Sequence, residues 1–299
     1  MAPKPSTFTT LGTAGGPVPN PQRAQPAHVL MHGEEPILID CGDGAVGQLI
    51  RAGVDYRSVN RVFLSHHHFD HIGGLFALLG VNMMTMRKTP LTIYGPPGTK
   101  AIVDGIVAAS SGPNEIGFGV PGQALPKISD FVSVREITPT DTVTLDGLTV
   151  TCCENTHYRP EAELGTPGPL SLSLRFDLAD RSVLFTGDTG PCKAVEALAK
   201  GVDLVIGEMM DIELIMGRIR AANPNQSAAH IAKIQTHISD HHITAEQLAD
   251  LAEGAGASHV VATHLPPGVA TPKTAPEYAA RIQARFSGSV SISQDLESY

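Results

Sequence analysis

The segment Ser65–His71 constrains this chain more than any other part of its sequence. It reads Ser-His-His-His-Phe-Asp-His and directly follows a short apolar run, so four possible metal ligands fall within six positions. An extended chain sends alternate side chains to the same side, so His66 and His68 can reach one ion while Asp70 and His71 turn towards a neighbouring position. Imidazole and carboxylate are good zinc ligands, and a zinc site uses three or four such groups. We therefore expect a metal site at the end of a buried strand.

Three further donors, His157, Asp188 and His264, stand farther along the chain, each near the end of a predicted strand. Residues gathered from strand ends lie on loops that a rigid sheet positions, and such loops often carry function. Taken singly, His157 or His264 would more simply be a hydrogen-bonded core histidine. Together with the first segment, the three donors complete two metal environments.

The remaining pattern predicts alternating strands and helices in one α/β domain that spans residues 1–299. Short apolar or β-branched runs bounded by turn residues predict strands over residues 37–40, 61–65, 91–94, 148–153, 170–176, 182–186, 204–207 and 260–263. Helices are predicted over residues 46–51, 99–109, 192–200, 227–235, 244–253 and 276–287. The helix at Thr244 has a marked start, because Gln247 follows three residues later and completes a capping box.

Charge and composition bear on partners and location. The formal net charge is −9, from 30 acidic and 21 basic residues, whereas proteins that grip phosphate backbones more often carry a basic excess. We therefore expect a small-molecule substrate and no nucleic acid. No apolar run is long enough to span a bilayer, which predicts no membrane partner. The segment Met1–Gly12 lacks a secretory pattern, so a cytoplasmic location is expected.

The four cysteines do not suggest chemistry. Cys41, Cys152, Cys153 and Cys192 contain no pair with CxxC spacing, which weighs against a thiolate zinc site or a disulfide framework. Buried, inert thiols are the simpler interpretation.

The pattern His66-x-His68-x-Asp70-His71 resembles the signature of metallo-β-lactamase-fold hydrolases, and the later donors follow in the order of that family. The resemblance implies that seven residues bind two zinc ions per chain: His66, His68 and His157 the first, Asp70, His71 and His264 the second, and Asp188 both.

The same resemblance implies a fold and a supporting residue. The fold is the family's four-layer αβ/βα sandwich, in which two mixed sheets are flanked by helices. Asp40 matches an early aspartate that supports the site, whereas His67 and Phe69 occupy variable positions and receive no role. Mn²⁺ or Fe²⁺ is an alternative to zinc, and we also expect a homodimer.

A narrower likeness is to the branch that contains ribonuclease Z, arylsulfatase-like enzymes and a hydrolytic dehalogenase. It rests on the segments Leu11–Pro17, Tyr94–Thr99 and His242–Thr244. In ribonuclease Z a histidine in the matching H-x-T position donates a proton, which implies that role for His242. The neighbouring His241 is the rival for it.

One departure from ribonuclease Z concerns the interval between His157 and Asp188. Those enzymes carry a long tRNA-binding arm there, whereas this chain has only 31 positions, enough for a hairpin. With the acidic charge balance, this favours a small-molecule electrophile: an ester, lactone, phosphodiester, sulfate ester or halogenated aromatic.

The predicted mechanism is that of a zinc-dependent hydrolase whose metal-bridging hydroxide attacks the substrate. Asp70, besides binding metal, and His242 are the predicted catalytic residues. Two alternatives remain open at this point: a ribonuclease Z-like tRNA 3′-processing endonuclease, and an iron-dependent oxidoreductase on the same fold. A non-catalytic module is disfavoured, since such modules lose ligands and all seven positions are occupied here.

Overall fold

The computed structural model describes residues 5–299, so the first four residues of the segment Met1–Gly12 lie outside the described part. The described chain divides into two compact units. Unit 1 consists of residues 5–12, Pro21–Ile137 and Asp295–Tyr299, and unit 2 consists of Thr13–Asn20 and Thr138–Gln294. The prediction that residues 1–299 form one domain stays a prediction.

Both units are built from short strands and helices. The elements of unit 1 are β1 (Thr7–Gly12), β2 (Ala27–His32), β3 (Glu35–Cys41), α1 (Ala45–Arg51), β4 (Arg61–Phe63), α2 (Phe69–Ile72), α3 (Leu75–Met84), β5 (Leu91–Gly95), α4 (Thr99–Ala109), α5 (Ser111–Ile116) and β6 (Val132–Glu136). Those of unit 2 are β7 (Thr142–Leu145), β8 (Leu148–Glu154), β9 (Leu172–Leu178), β10 (Ser182–Phe185), α6 (Lys193–Ala199), β11 (Leu204–Glu208), α7 (Ile212–Ala222), α8 (Ala228–His241), α9 (Ala245–Ala255), β12 (His259–Thr263), α10 (Ala275–Gln283) and β13 (Ser289–Ile292). The last strand, β14 (Glu297–Ser298), returns to unit 1.

The sheet of unit 1 has the order β14-β1-β2-β3-β4-β5-β6 among the described residues. Strands β14, β1, β2 and β3 pair antiparallel, and β3 to β6 pair parallel. Apolar side chains of the parallel strands, such as Leu38, Val62 and Ile93, are fully buried and belong to the same core as Leu49 of α1 and Leu79 of α3. The carboxyl ends of β3 and β4 meet at one edge, and the segment Ser65–His71 starts there.

The sheet of unit 2, β13-β12-β11-β10-β9-β8-β7, has the same plan. Strands β7 to β10 pair antiparallel, and β10 to β13 pair parallel. Helix α9 buries Ala245, Leu248, Ala249 and Ala252, whose spacing places them on one helical face. The parallel strands β10, β11 and β12 end at the same edge of this sheet. Helix α9 contributes to the core of unit 2.

Helices α7 and α8 form a hairpin between β11 and α9, which we call the α7–α8 hairpin. Its own core is small, with Met210, Met216 and Ile238 buried. Residues 221–230, which include the connection between the two helices, are all exposed. This hairpin is the least buried helical part of unit 2.

The predicted α/β class, with two mixed sheets flanked by helices, is confirmed. Every predicted strand and helix occurs, although α8 runs to His241, beyond the predicted end at residue 235. Strands β1, β2, β6, β7, β13 and β14 and helices α2, α3, α5 and α7 were not predicted. The segment after Ser65, treated as extended in the sequence analysis, turns into helix at Phe69.

Among the described residues, no helix combines the length and the apolar character that a membrane crossing needs.

Candidate metal centre

In unit 1 the segment Ser65–His71 forms a compact group of donors. His66 and His68 precede α2, and their rings lie edge to face with centroids 4.8 Å apart. Asp70 and His71 lie on the single turn of α2, with 3.6 Å between Oδ2 of Asp70 and Nε2 of His71. His66, Asp70 and His71 are buried, whereas His68 is exposed. The structure thus brings the four predicted donors of this segment together.

Asp40, at the end of β3, organises this group from behind. Its Oδ1 accepts a hydrogen bond of 2.8 Å from the Ser65 backbone N–H, and its Oδ2 accepts one of 2.8 Å from the Ser65 hydroxyl. Oδ2 also lies 2.7 Å from Nδ1 of His71. Asp40 has a φ of 54°, a conformation uncommon for residues other than glycine. Asp40 therefore fixes the start of the segment and directs Nε2 of His71 away from itself, as expected from the sequence.

In unit 2 the three predicted donors also converge. Oδ2 of Asp188 lies 3.2 Å from Nε2 of His264 and 3.7 Å from Nε2 of His157. All three side chains are almost fully buried. The turn after β10 that presents Asp188 contains Gly187 at a φ of +57°, and His264 itself has a φ of 51°. Glycine adopts such a φ without steric penalty, whereas at His264 the chain accepts an unfavourable backbone conformation where a donor is placed.

His241 is tied to the backbone next to His157. Nδ1 of His157 lies 3.2 Å from the His241 carbonyl oxygen, and Nδ1 of His241 bonds in turn to the Thr156 carbonyl. The carbonyl accepts the Nδ1 proton of His157, so Nε2 of His157 faces Asp188. His241 therefore orients His157 through its carbonyl oxygen, and its own ring is bonded to the backbone through Nδ1.

His242, which is partly exposed, pairs with the buried Glu208, a residue that the sequence analysis missed. Nδ1 of His242 lies 2.7 Å from Oε2 of Glu208, whose Oε1 accepts a 2.6 Å hydrogen bond from the Thr189 backbone N–H. Burial raises the pKa of the Glu208 carboxyl, and the adjacent imidazole opposes that rise. The available signal was the position of Glu208 at the end of β11, between the strands that lead to Asp188 and His264.

The donor chemistry in both units suits a divalent metal. Metal-binding histidines characteristically direct the second ring nitrogen to a carboxylate or backbone carbonyl, which fixes the tautomer. His71 does this through Asp40, and His157 does it through the His241 carbonyl. The remaining groups are imidazoles and carboxylates, all buried except His68, and such groups bind zinc and also bind manganese or iron. The donors therefore indicate divalent metal binding without selecting the ion.

The cysteines contribute no ligand to either group. All four are free thiols, and all except the half-buried Cys153 are buried. Burial raises the pKa of Cys152 to about 12, which keeps its thiol protonated at neutral pH.

Comparisons with known proteins agree with this geometry. A family model described as the beta-lactamase superfamily domain matches residues 36–265. A ribonuclease Z from Mycobacterium sp. (strain KMS) is 31% identical over 290 residues, covering 96% of this chain and 93% of the relative.

Two solved structures show the same fold. The metallo-beta-lactamase fold protein YhfI from Bacillus subtilis has a TM-score of 0.69 at 19% identity and covers 99% of this chain and 100% of its own. The short form of human tRNase Z has a TM-score of 0.68 at 19% identity and covers 98% of both chains. Together with the two mixed sheets, these likenesses confirm the predicted fold.

The relatives correct one expectation. A small-molecule substrate with no nucleic acid was expected, but the relatives matched over almost the whole chain are ribonucleases, enzymes of RNA. The expectation is therefore wrong, and its weakness is physical. A net charge is a sum over the whole molecule and does not describe the surface where RNA is bound. The short interval between His157 and Asp188 excludes a long arm at that place, but it does not exclude RNA as a substrate.

Proposed function

Because this chain belongs to the metallo-β-lactamase superfamily and is a hydrolase, we propose that it is a metal-dependent phosphodiesterase that cleaves RNA. The observation that carries this proposal is the pairing of His242 with the buried carboxylate of Glu208. Cleavage of an RNA phosphodiester expels a ribose alkoxide, a poor leaving group that needs a proton as it departs. A histidine held through Nδ1 by a buried carboxylate is suited to supply that proton from Nε2.

The seven predicted donors would hold two divalent ions, and zinc is the ion that we propose. His66, His68 and His157 would bind the first, Asp70, His71 and His264 the second, and Asp188 both. Ions bound there would lower the pKa of water to about 7 and stabilise negative charge that develops on the phosphate.

The chain's own residues then have distinct tasks. Asp40 and the His241 carbonyl fix the tautomers of His71 and His157. Asp70 combines metal binding with a catalytic role, since its buried carboxylate lies beside His71 and can accept a proton. His242 delivers a proton to the leaving oxygen.

The ribonuclease Z relatives support RNA as the substrate class, and the interval after His157 limits how it is bound. That interval forms the β9–β10 hairpin of unit 2, whose strands pair within the sheet. RNA would therefore be held by surfaces other than a long arm in this position.

A substrate panel tests the proposal. The protein is loaded with zinc or manganese and assayed on a precursor tRNA, on single-stranded RNA and on a lactone, a sulfate ester and a chloroaromatic. We expect metal-dependent RNA cleavage, near-complete loss of it in Asp188→Ala, and its retention in the matched control Cys153→Ala. If no RNA is cleaved while one of the other compounds is hydrolysed, the proposal is wrong.

The homodimer and the cytoplasmic location expected from the sequence are part of this proposal as well. Sedimentation of the metal-loaded protein tests the first.

A further inference from the structure

Phe69 differs from the other motif residues because its side chain points into solvent. It is 84% exposed, the highest value among the large apolar side chains of residues 5–299 that face solvent. Phe8, Phe63 and Phe176, by contrast, are fully buried. Phe69 stands between His68 and Asp70, so an exposed aromatic ring lies in the middle of the donor segment.

The backbone that carries this ring is held in place. Nε2 of His67 lies 2.9 Å from the Thr99 hydroxyl, and its ring packs against Gly98, where an added Cβ would lie 3.3 Å from Cε1 of His67. The Phe69 carbonyl accepts a 2.7 Å hydrogen bond from the Gly73 N–H. The ring therefore projects from a fixed turn.

Part of the segment Ser65–His71 is open to solvent. His66, Asp70 and His71 are buried, whereas His68 and Phe69 are consecutive and exposed. His68 and Phe69 are therefore the residues of this segment that a substrate can reach most readily from solvent.

We propose that Phe69 stacks against a nucleobase next to the scissile phosphodiester. This inference rests on the proposed function, because it names the part of an RNA substrate that this residue binds. A phenyl ring offers a π face and no hydrogen bond, and stacking on such faces is how proteins bind unpaired bases without reading sequence.

A double-mutant cycle between protein and RNA tests the proposal. Phe69→Ala and Phe69→Tyr are compared with the parent protein on RNA oligonucleotides that carry either a base or an abasic site at each position beside the cleaved bond. On intact RNA, Phe69→Ala should lower kcat/KM by roughly 5- to 100-fold, the usual value of one stacked base, and Phe69→Tyr should retain activity. On the RNA that is abasic at the stacked position, Phe69→Ala should have no further effect.

Controls separate stacking from other roles. Phe118→Ala removes another exposed phenylalanine of unit 1, 59% exposed, and should leave the activity on both RNAs unchanged. Metal content of Phe69→Ala should match that of the parent protein, because the ring is not a ligand.

The other outcomes overturn the inference. If RNA is cleaved but Phe69→Ala slows intact and abasic RNA equally at every position, Phe69 does not stack on a base. If Phe69→Ala instead converts a dimer into a monomer, the ring belongs to an interface between two copies of the chain. If no RNA is cleaved, the proposed function itself fails and the inference fails with it.

Discussion

At the scale of residues, the donors and the supporting Asp40 could be predicted, whereas Glu208 could not. The donors of the first segment are recognisable because all four are close in sequence: His66, His68, Asp70 and His71. Glu208 was missed because its partner His242 lies 34 positions away, and a single glutamate at a strand end has no distinctive pattern. The positive φ angles of Asp40 and His264, each costing on the order of 1–3 kcal/mol, also have no sequence signal.

The first prediction at this scale concerns His242. His242→Ala should keep its metal and slow the cleavage of RNA by roughly 10²- to 10⁴-fold, the usual contribution of a general acid. A phosphodiester with a nitrophenolate leaving group should suffer far less, because that group departs without a proton. Parallel kinetics on the two substrates, with metal content measured by mass spectrometry, check the prediction.

Glu208→Gln is the companion variant, because it keeps the volume of the side chain and removes its charge. Glu208→Gln should also slow the cleavage of RNA more than that of the nitrophenolate substrate, but by a smaller factor than His242→Ala does. Equal slowing of both substrates by His242→Ala would point to substrate positioning. Loss of metal from His242→Ala would mean that His242 is a ligand.

At the scale of elements, the capping box predicted where α9 begins. The elements that were missed have no such local signal. The capping box is confirmed: Thr244 N–H donates to Oε1 of Gln247 at 2.8 Å, and the Gln247 N–H donates to the Thr244 hydroxyl at 3.4 Å. Helix α3 was missed because residues 75–84 are apolar on nearly every side and show no helical periodicity. Strand β6 was missed because it is mostly exposed and polar.

The prediction at this scale concerns the ion pair between α9 and α10. Nε and Nη2 of Arg281 donate to the Glu246 carboxylate at 2.8 and 3.1 Å. These hydrogen bonds lower the pKa of Glu246 from 4.5 to about 2, so the ionised form stabilises the fold. That stability is present above pH 4.5 and is lost as the pH falls towards 2. Because both side chains are about 40% exposed, the gain is at most about 1 kcal/mol.

Glu246→Gln should therefore lower the free energy of unfolding at pH 7, and its difference from the parent protein should shrink as the pH falls below 4. Denaturant titrations at several pH values measure this. Asp104→Asn is the matched control, since its partner Lys100 is an exposed i,i+4 neighbour and the pair contributes little. A difference for Glu246→Gln that does not change with pH would contradict the assignment.

At the scale of the whole molecule, the two units repeat one topology. Each sheet has three antiparallel pairs and three parallel pairs. In each unit, donors follow the carboxyl ends of parallel strands, except that His157 follows the antiparallel strand β8. The α/β class followed from the alternation of predicted strands and helices. The repeat did not, because strand pairing joins distant segments whose sequences are unrelated. The substrate class was mispredicted because overall charge does not describe a local surface.

Metal removal is the prediction at this scale. Chelation should lower the thermal midpoint, because buried carboxylates such as Asp70 and Asp188 lose the positive charge that compensates them. A ligand at a free concentration 100 times its Kd stabilises a protein by about 2.7 kcal/mol per site, so the shift should be several degrees. Calorimetry of chelated protein, then of the same sample with zinc restored, measures it. An unchanged midpoint would argue against both metal sites.

The α7–α8 hairpin has a consequence for how activity would be lost on heating. Its small core of Met210, Met216 and Ile238 makes it a candidate for local opening at a lower free energy than global unfolding. Its C-terminal end supplies the carbonyl that orients His157 and leads directly into His242. An excursion that opens only this hairpin would therefore displace His242 and the support of His157, the proposed proton donor and a proposed metal ligand, while both sheets stay intact. We expect amide exchange in residues 212–241 to be faster than in α9 and to rise with temperature as turnover is lost. The opening of the hairpin would then set the highest temperature at which the enzyme works.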